Sequence, residues 1–175
     1  MNYSPADLQK DGMYGVTMSR ETFDWERSMQ PFADKWYKIF TPGINIDRSV
    51  HCKLYDLKLD DVKVEEKFLF SGKEYDKVLI ELVQDAGDGS LGWFYHIKAD
   101  VLAWYYCPTD HISQPISCYW IDVELLKEKV FFTLKSKTNH YVEMQVCNLH
   151  YGITFNLPIS WRELLNDGIA KHFLF

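Results

Sequence analysis

The period of the apolar residues changes at Thr41-Pro42-Gly43, and this change constrains the fold more than any other feature of the sequence. Before it, apolar side chains recur at steps of three or four residues, at Trp25, Met29, Phe32, Trp36 and Ile39. That spacing predicts an amphipathic helix with one apolar face against a core. Ser19 or Thr22 can cap its start, and the proline and glycine end it.

After residue 43 the period becomes two, which is typical of strands with one buried face. The alternating residues flank Asp60-Asp61: Cys52, Leu54, Leu57 and Leu59 precede it, and Val62, Val64, Glu66 and Phe68 follow it. The pattern predicts a β-hairpin, or two strands joined by a short loop. Lys77–Gln84 is apolar enough to predict a third strand.

The remaining segments alternate between helical and extended patterns, and a length of 175 residues fits one domain. The predicted elements are a helix over Trp93–Tyr106 with Ile97, Val101 and Tyr105 on its inner face, a strand over Ile116–Ile121, a short helix over Val123–Lys129, strands near Tyr141–Val146 and Gly152–Leu157, and a last helix from Ser160. We expect an irregular N-terminal arm over residues 1–20. Residues 21–175 are expected to form one α/β domain, a three-layer sandwich with a central mixed β-sheet.

The triplet Glu65-Glu66-Lys67 lies inside a predicted strand. Because side chains alternate across a strand, Glu65 and Lys67 share one face and Glu66 points to the other, apolar face. A carboxylate beside an ammonium on a rigid strand can hold a divalent cation and contact a phosphate. Such a pair is also common on a solvated face, where cross-strand ion pairs form.

A second acidic ligand would complete a magnesium-type site, and the sequence offers alternatives. With a tight turn at Asp60-Asp61, Asp56 stands opposite Glu65; with a longer loop, Asp47 takes that place. Glu81 lies on the third strand among apolar residues, so its charge needs a partner or a metal.

An acidic residue, a hairpin and then Glu-x-Lys on the next strand resemble the PD-(D/E)xK, or restriction-endonuclease-like, nucleases, in particular their small phage-type and bacterial members. The similar segments cover roughly residues 20 to 125: Gly43-Ile44-Asn45-Ile46-Asp47, Val64–Phe68, Val78–Glu81, Gly92-Trp93-Phe94, Ala99-Asp100 and Tyr105-Tyr106. The resemblance implies Asp47 and Glu65 as metal ligands, Lys67 as the catalytic lysine and Mg²⁺ or Mn²⁺ as the cofactor. Ile46 stands where the family's proline is expected.

Two functions follow from these residues. The first is metal-dependent hydrolysis of DNA, in which nearby lysines (Lys53, Lys58, Lys63, Lys73 and Lys77) contact the backbone. The net charge of -6 disfavours a protein that coats nucleic acid but is compatible with an acidic nuclease site. The second is a catalytically inactive nuclease-fold module that binds protein or nucleic acid as an accessory factor. Exposed aromatics would then form an interface, also between copies of this chain: Trp93, Trp104, Tyr105, Tyr106 and Trp120.

The four cysteines, Cys52, Cys107, Cys118 and Cys147, are scattered and include no CxxC pair. This spacing favours free thiols in a reducing compartment over a zinc site or a disulfide framework. The first residues lack a basic segment followed by an apolar run, and no stretch is long and apolar enough to span a bilayer. We therefore expect a cytoplasmic protein.

Overall fold

The predicted first helix is confirmed in a computed structural model of the chain, which describes residues 20–49, 55–110, 112–136, 144–149 and 152–175. Helix α1 spans Arg20–Phe40. It buries one face, whose best-covered residues are Met29, Ala33, Trp36 and Tyr37. Ser19 and the predicted N-terminal arm, apart from residue 20, lie outside the described residues.

The larger of two sheets has six strands and is mixed. Its strands are β1 (Ile46–Asp47), β2 (Leu57–Leu59), β3 (Val62–Phe70), β6 (Val101–Cys107), β7 (Ser117–Asp122) and β10 (Ala170–Leu174). Their spatial order is β1-β2-β3-β6-β7-β10. Strands β3 and β6 are parallel, and the other neighbours are antiparallel.

The second sheet has four antiparallel strands in the order β5-β4-β9-β8. These are β4 (Lys77–Asp85), β5 (Ser90–Leu91), β8 (Gln145–Leu149) and β9 (Gly152–Ser160). Three further helices complete the described fold: α2 (Trp93–His96), α3 (Val123–Ser136) and α4 (Trp161–Asn166). The third predicted strand, β4, is therefore confirmed as a strand, but it belongs to this second sheet.

The six-stranded sheet lies in the middle of the molecule and has an apolar core on each face. One core joins it to α1, through residues such as Met29, Leu57 and Val64. The other core joins it to the second sheet and to α3 and α4, through residues such as Ile80 and Leu126. The protein is thus an α/β protein with a central mixed sheet, and the second sheet is an element that the sequence did not predict.

The predicted helix over residues 93–106 is wrong, except for the single turn of α2. Val101–Cys107 is the parallel strand β6, which lies between β3 and β7. A central strand covered on both faces is apolar on both faces, so it shows no alternation. Because every residue from 102 to 107 is buried, any spacing fits this strand, and the helical steps of four that join Ile97, Val101 and Tyr105 carry no information.

The other predicted elements are found with shifted ends. The helix expected over Val123–Lys129 runs to Ser136, and α4 begins directly after Ser160, as predicted. Strands β8 and β9 correspond to the two expected near residues 141–157, of which residues 141–143, 150 and 151 lie outside the described part. Strand β10 was not predicted.

Candidate active site on strand β3

The hairpin turn decides which aspartate approaches Glu65. Strands β2 and β3 pair through Leu57 with Val64 and Leu59 with Val62. The turn therefore consists of Asp60 and Asp61. Asp60 has a φ of 52°, a left-handed conformation that aspartate tolerates better than most residues. Of the two registers that the sequence left open, this one brings Asp56 to β3.

Asp56 comes immediately before β2, at the point where the regular ladder with β3 ends. Its N–H donates to the carbonyl of Val64 over 2.9 Å. Its Oδ2 accepts the N–H of Glu66 over 2.7 Å. The carboxylate thus replaces a backbone carbonyl of a neighbouring strand, and this holds it beside Glu65 and Glu66 at the edge of β3.

Asp47 does not approach Glu65, which corrects the expectation that it is the first acidic ligand. It pairs with Lys58 on β2, so β2 separates it from β3. Its Oδ1 accepts bonds from the hydroxyl of Ser49 over 2.5 Å and the N–H of Ser49 over 2.9 Å. These two bonds hold the pKa of Asp47 below its usual value. The tight turn at residues 60 and 61 keeps Asp47 away from Glu65, because it leaves β1 at the edge of the sheet.

Glu65 and Lys67 share one face of β3, as their spacing predicts. Lys67 Nζ lies 2.5 Å from Glu65 Oε1, and the side chains are 29% and 17% exposed. Burial raises the pKa of the Glu65 carboxyl, and Lys67 opposes that rise only in part. Burial would lower the pKa of Lys67, but the carboxylates of Glu65, Asp56 and Glu26 outweigh it and hold that pKa above its usual value. The lysine is therefore a cation surrounded by acids.

Glu26 on α1 is a member of this group that the sequence did not single out. Burial raises the pKa of its carboxyl, Lys67 opposes the rise, and the neighbouring carboxylates of Asp56 and Glu65 add to it. A signal for it exists in the sequence. Glu26 lies three residues before Met29 and seven before Ala33, so helical spacing puts it on the buried face of α1.

Glu81 lies on β4, in the second sheet. Its Oε1 accepts the N–H of Trp93, the first residue of α2, over 3.3 Å. Burial raises the pKa of this carboxyl, and the Trp93 N–H and the charge of Lys67 oppose the rise. Gly92 makes the close approach possible, because a Cβ there would lie 2.2 Å from the carbonyl oxygen of Glu81. Glu81 thus already has a partner at the start of a helix.

Glu66 points to the opposite face of β3, where its side chain is 1% exposed and fully paired. Arg48 donates to both of its oxygens, over 2.7 Å and 3.2 Å, and also to Asp34 on α1. The hydroxyl of Tyr37 donates to Glu66 Oε1 over 2.8 Å and accepts from the hydroxyl of Tyr105 over 2.7 Å. Burial raises the pKa of Glu66, and Arg48 and Tyr37 oppose that rise. This network connects α1 to β3 and β6 directly behind Glu65 and Lys67.

The acids around Lys67 have the donor chemistry of a magnesium site, but they are not arranged as a preformed cage. Among the residues that the structure describes, no three carboxylate, imidazole or thiol side chains converge where they could hold a metal ion. Mg²⁺ usually needs only one or two protein carboxylates and takes its other ligands from water and phosphate. Asp56 and Glu65, with Glu26 close by, meet that smaller requirement.

The aromatic surface expected for an interface does not form. Trp104, Tyr105 and Tyr106 are buried because they lie on the central strand β6. Trp93 and Trp120 are half-buried and pack against the two cores. Cys107 and Cys118 are buried free thiols, as expected; Cys52 and the side chain of Cys147 lie outside the described part.

Comparison with known proteins finds no match: neither a family model, nor a curated protein, nor a solved structure resembles this chain closely enough to be recognised. In the described part of the chain, none of the helices has both the length and the apolar character needed to cross a membrane.

Proposed function

We propose that this protein is a metal-dependent nuclease that hydrolyses phosphodiester bonds of DNA at the edge of β3. The observation that carries the proposal is the position of Lys67, a half-buried cation next to Glu65 that is also under the influence of Asp56 and Glu26. Three carboxylates around one ammonium leave an excess of negative charge, which a divalent cation neutralises. A restriction-endonuclease-like arrangement of helix, hairpin and Glu-x-Lys strand is part of the proposal.

In this site Asp56 and Glu65 would hold Mg²⁺ or Mn²⁺, and Glu26 would accept a hydrogen bond from a water in the same group. When bound, such an ion lowers the pKa of a coordinated water and neutralises charge on the phosphate. Lys67 donates to an oxygen of the scissile phosphate and stabilises the charge that develops there. For this, its ammonium turns from Glu65 Oε1 to the substrate. The backbone N–H of Glu66 fixes Asp56 throughout.

One observation favours the alternative, a catalytically inactive module of the same fold that binds protein or nucleic acid. Glu65 is paired with Lys67, and Asp56 accepts a backbone hydrogen bond, so both carboxylates have partners within the protein. Such pairing is what a structural role requires. Nuclease activity demands that at least the Glu65–Lys67 pair opens when the substrate binds.

The test compares Asp56→Asn with the matched control Asp47→Asn, since the two aspartates are nine residues apart in the chain and Asp56 contacts β3 whereas Asp47 lies on β1. Plasmid and single-stranded DNA are incubated with Mg²⁺ or Mn²⁺, and cleavage rates are measured. We expect Asp56→Asn, Glu65→Gln and Lys67→Ala each to lower the rate by about 10²-fold or more. Asp47→Asn should cleave within about twofold of the wild type, because surface substitutions away from a site have small effects. A rate unchanged by Glu65→Gln and Lys67→Ala would refute the proposal.

A further inference from the structure

Two lysines stand directly opposite each other on the hairpin that carries the candidate site. Lys58 on β2 pairs with Lys63 on β3. Residues that pair in this way have Cβ atoms about 5 Å apart, and like charges in such positions destabilise a sheet. Lys63, Glu65 and Lys67 alternate along β3, so both lysines lie on the face of the proposed active site.

Neither lysine has its charge balanced by an ion pair. Within the part of the chain that the structure describes, no carboxylate lies within 4.0 Å of either ammonium. The acids around them have other hydrogen-bond or ion-pair partners: Glu65 pairs with Lys67, and Asp100 Oδ2 accepts the backbone N–H of Lys63 over 2.8 Å. Asp47, which pairs with Lys58 across β1 and β2, is influenced by the charge of Lys58 but accepts its hydrogen bonds from Ser49. Lys63 Nζ lies 5.9 Å from the centre of the Tyr55 ring, a contact that keeps its positive charge.

Two cations side by side on a strand face, with one neighbouring carboxylate and no ion-pair contact among the described residues, point to an anion as their partner. Lys63 precedes Lys67 by four residues, a separation of about 13 Å along a strand. Phosphates two nucleotides apart along an extended nucleic acid strand are separated by a similar distance. A strand whose scissile phosphate lies at Lys67 therefore brings the phosphate two nucleotides away to Lys58 and Lys63.

We propose that Lys58 and Lys63 together bind the backbone phosphate two nucleotides away from the scissile one. The inference rests on the proposed nuclease function. It adds a binding site for the substrate that is separate from the carboxylates. Because the contact is to a phosphate, it carries no base preference. It also gives an acidic protein a local site for nucleic acid despite its net charge of -6.

The experiment measures binding of a fluorescein-labelled 20-nucleotide single strand by anisotropy, in EDTA, over a series of KCl concentrations. Lys58→Ala, Lys63→Ala and the double variant are compared with Lys171→Ala, an exposed lysine on β10 at the opposite edge of the sheet. Each substitution at the pair is expected to weaken binding several-fold at low salt. The double variant should also reduce the slope of log K against log [KCl] by about 0.7, the contribution of one phosphate contact on a single strand. Lys171→Ala should change neither quantity.

The outcomes separate this inference from the proposed function. If the double variant keeps the wild-type affinity and slope, or if the wild type does not bind the strand at low salt, the phosphate site is refuted, whatever the cleavage assay shows. If the pair controls binding but no DNA is cleaved with Mg²⁺ or Mn²⁺, the phosphate contact stands and the nuclease function fails. A melting temperature of the double variant at or above that of the wild type verifies that it folds, as removal of a like-charge pair predicts.

Discussion

The two faces of β3 carry neighbouring glutamates in opposite surroundings. Glu66, on the face towards α1, is enclosed and accepts hydrogen bonds from Arg48 and Tyr37. Glu65, on the other face, has the partly exposed Lys67 as its partner in a group with more acids than cations. One residue of displacement along a strand therefore separates a carboxylate that holds the fold together from one that is available for chemistry.

The face of β3 towards α1 supports the excess of acids on the other face. The bonds from Arg48 and Tyr37 hold Glu66, and Asp34 and Tyr37 belong to α1, which also carries Glu26. The α1 face thus sets the position of the helix and of β3, and with them the relative positions of Glu26 and Glu65. Because the hydrogen bonds of Glu66 stabilise β3, its other face can hold several carboxylates close together although their charges repel.

The largest effect is expected from Glu66→Ala. This change leaves the guanidinium of Arg48 and the hydroxyl of Tyr37 without their shared acceptor. Removing one partner of a buried ion pair typically costs about 3–5 kcal/mol. The free energy of unfolding in urea measures it. In the control, Arg48→Met combined with Glu66→Leu, both charges are removed together, and most of the loss should be recovered. A single variant as stable as wild type would contradict the role given to the network.

A smaller effect is expected from Tyr37→Phe, which deletes only the hydroxyl between Glu66 and Tyr105. Glu66 keeps Arg48, while the hydroxyl of Tyr105 loses its acceptor. We expect a loss of about 1–2 kcal/mol in the free energy of unfolding. The matched control is Tyr95→Phe, because Tyr95 is exposed on α2 and should tolerate the change. Equal losses in the two variants would remove the distinction between the buried network and the surface.

The smallest effect, and one of opposite sign, is expected from Glu26→Gln on the acidic side. Burial and the neighbouring carboxylates raise the pKa of Glu26 in the folded protein. A raised pKa means that this group favours folding most when protonated, below its unfolded pKa near 4.3, and that the advantage is lost as the pH rises through the folded value. At pH 7 the neutral variant should therefore be more stable than wild type, by about 0.5 kcal/mol.

Thermal melts of Glu26→Gln and wild type at pH 4 and pH 7 measure this difference. The melting temperatures should approach each other at pH 4, where the wild-type carboxyl is also protonated. Glu128→Gln, at an exposed position in the middle of α3, is the control. If Glu26→Gln is less stable than wild type at pH 7, the carboxylate stabilises the fold, and the contrast between the two faces of β3 is lost.

The sequence predicted much of the site because alternation along a strand is a local property. It separated Glu65 and Lys67 from Glu66, and it placed Glu66 on the apolar face. It did not identify Arg48, Asp34 or Tyr37 as the partners of that charge. Those residues lie 18, 32 and 29 positions away from Glu66 in the chain, and nothing local connects them.

Local patterns by themselves determined helix α1, the hairpin and the strand β4, since each follows from the period of its apolar residues. The tertiary structure decided three things that such patterns do not contain. It placed β4 in a second sheet, made residues 101–107 a central parallel strand, and brought Asp56 rather than Asp47 to the Glu65-Glu66-Lys67 triplet. The reason is the same in each case. Strand pairing and burial on both faces depend on residues far apart in the chain. The period of the apolar residues indicates only which side of one segment is buried.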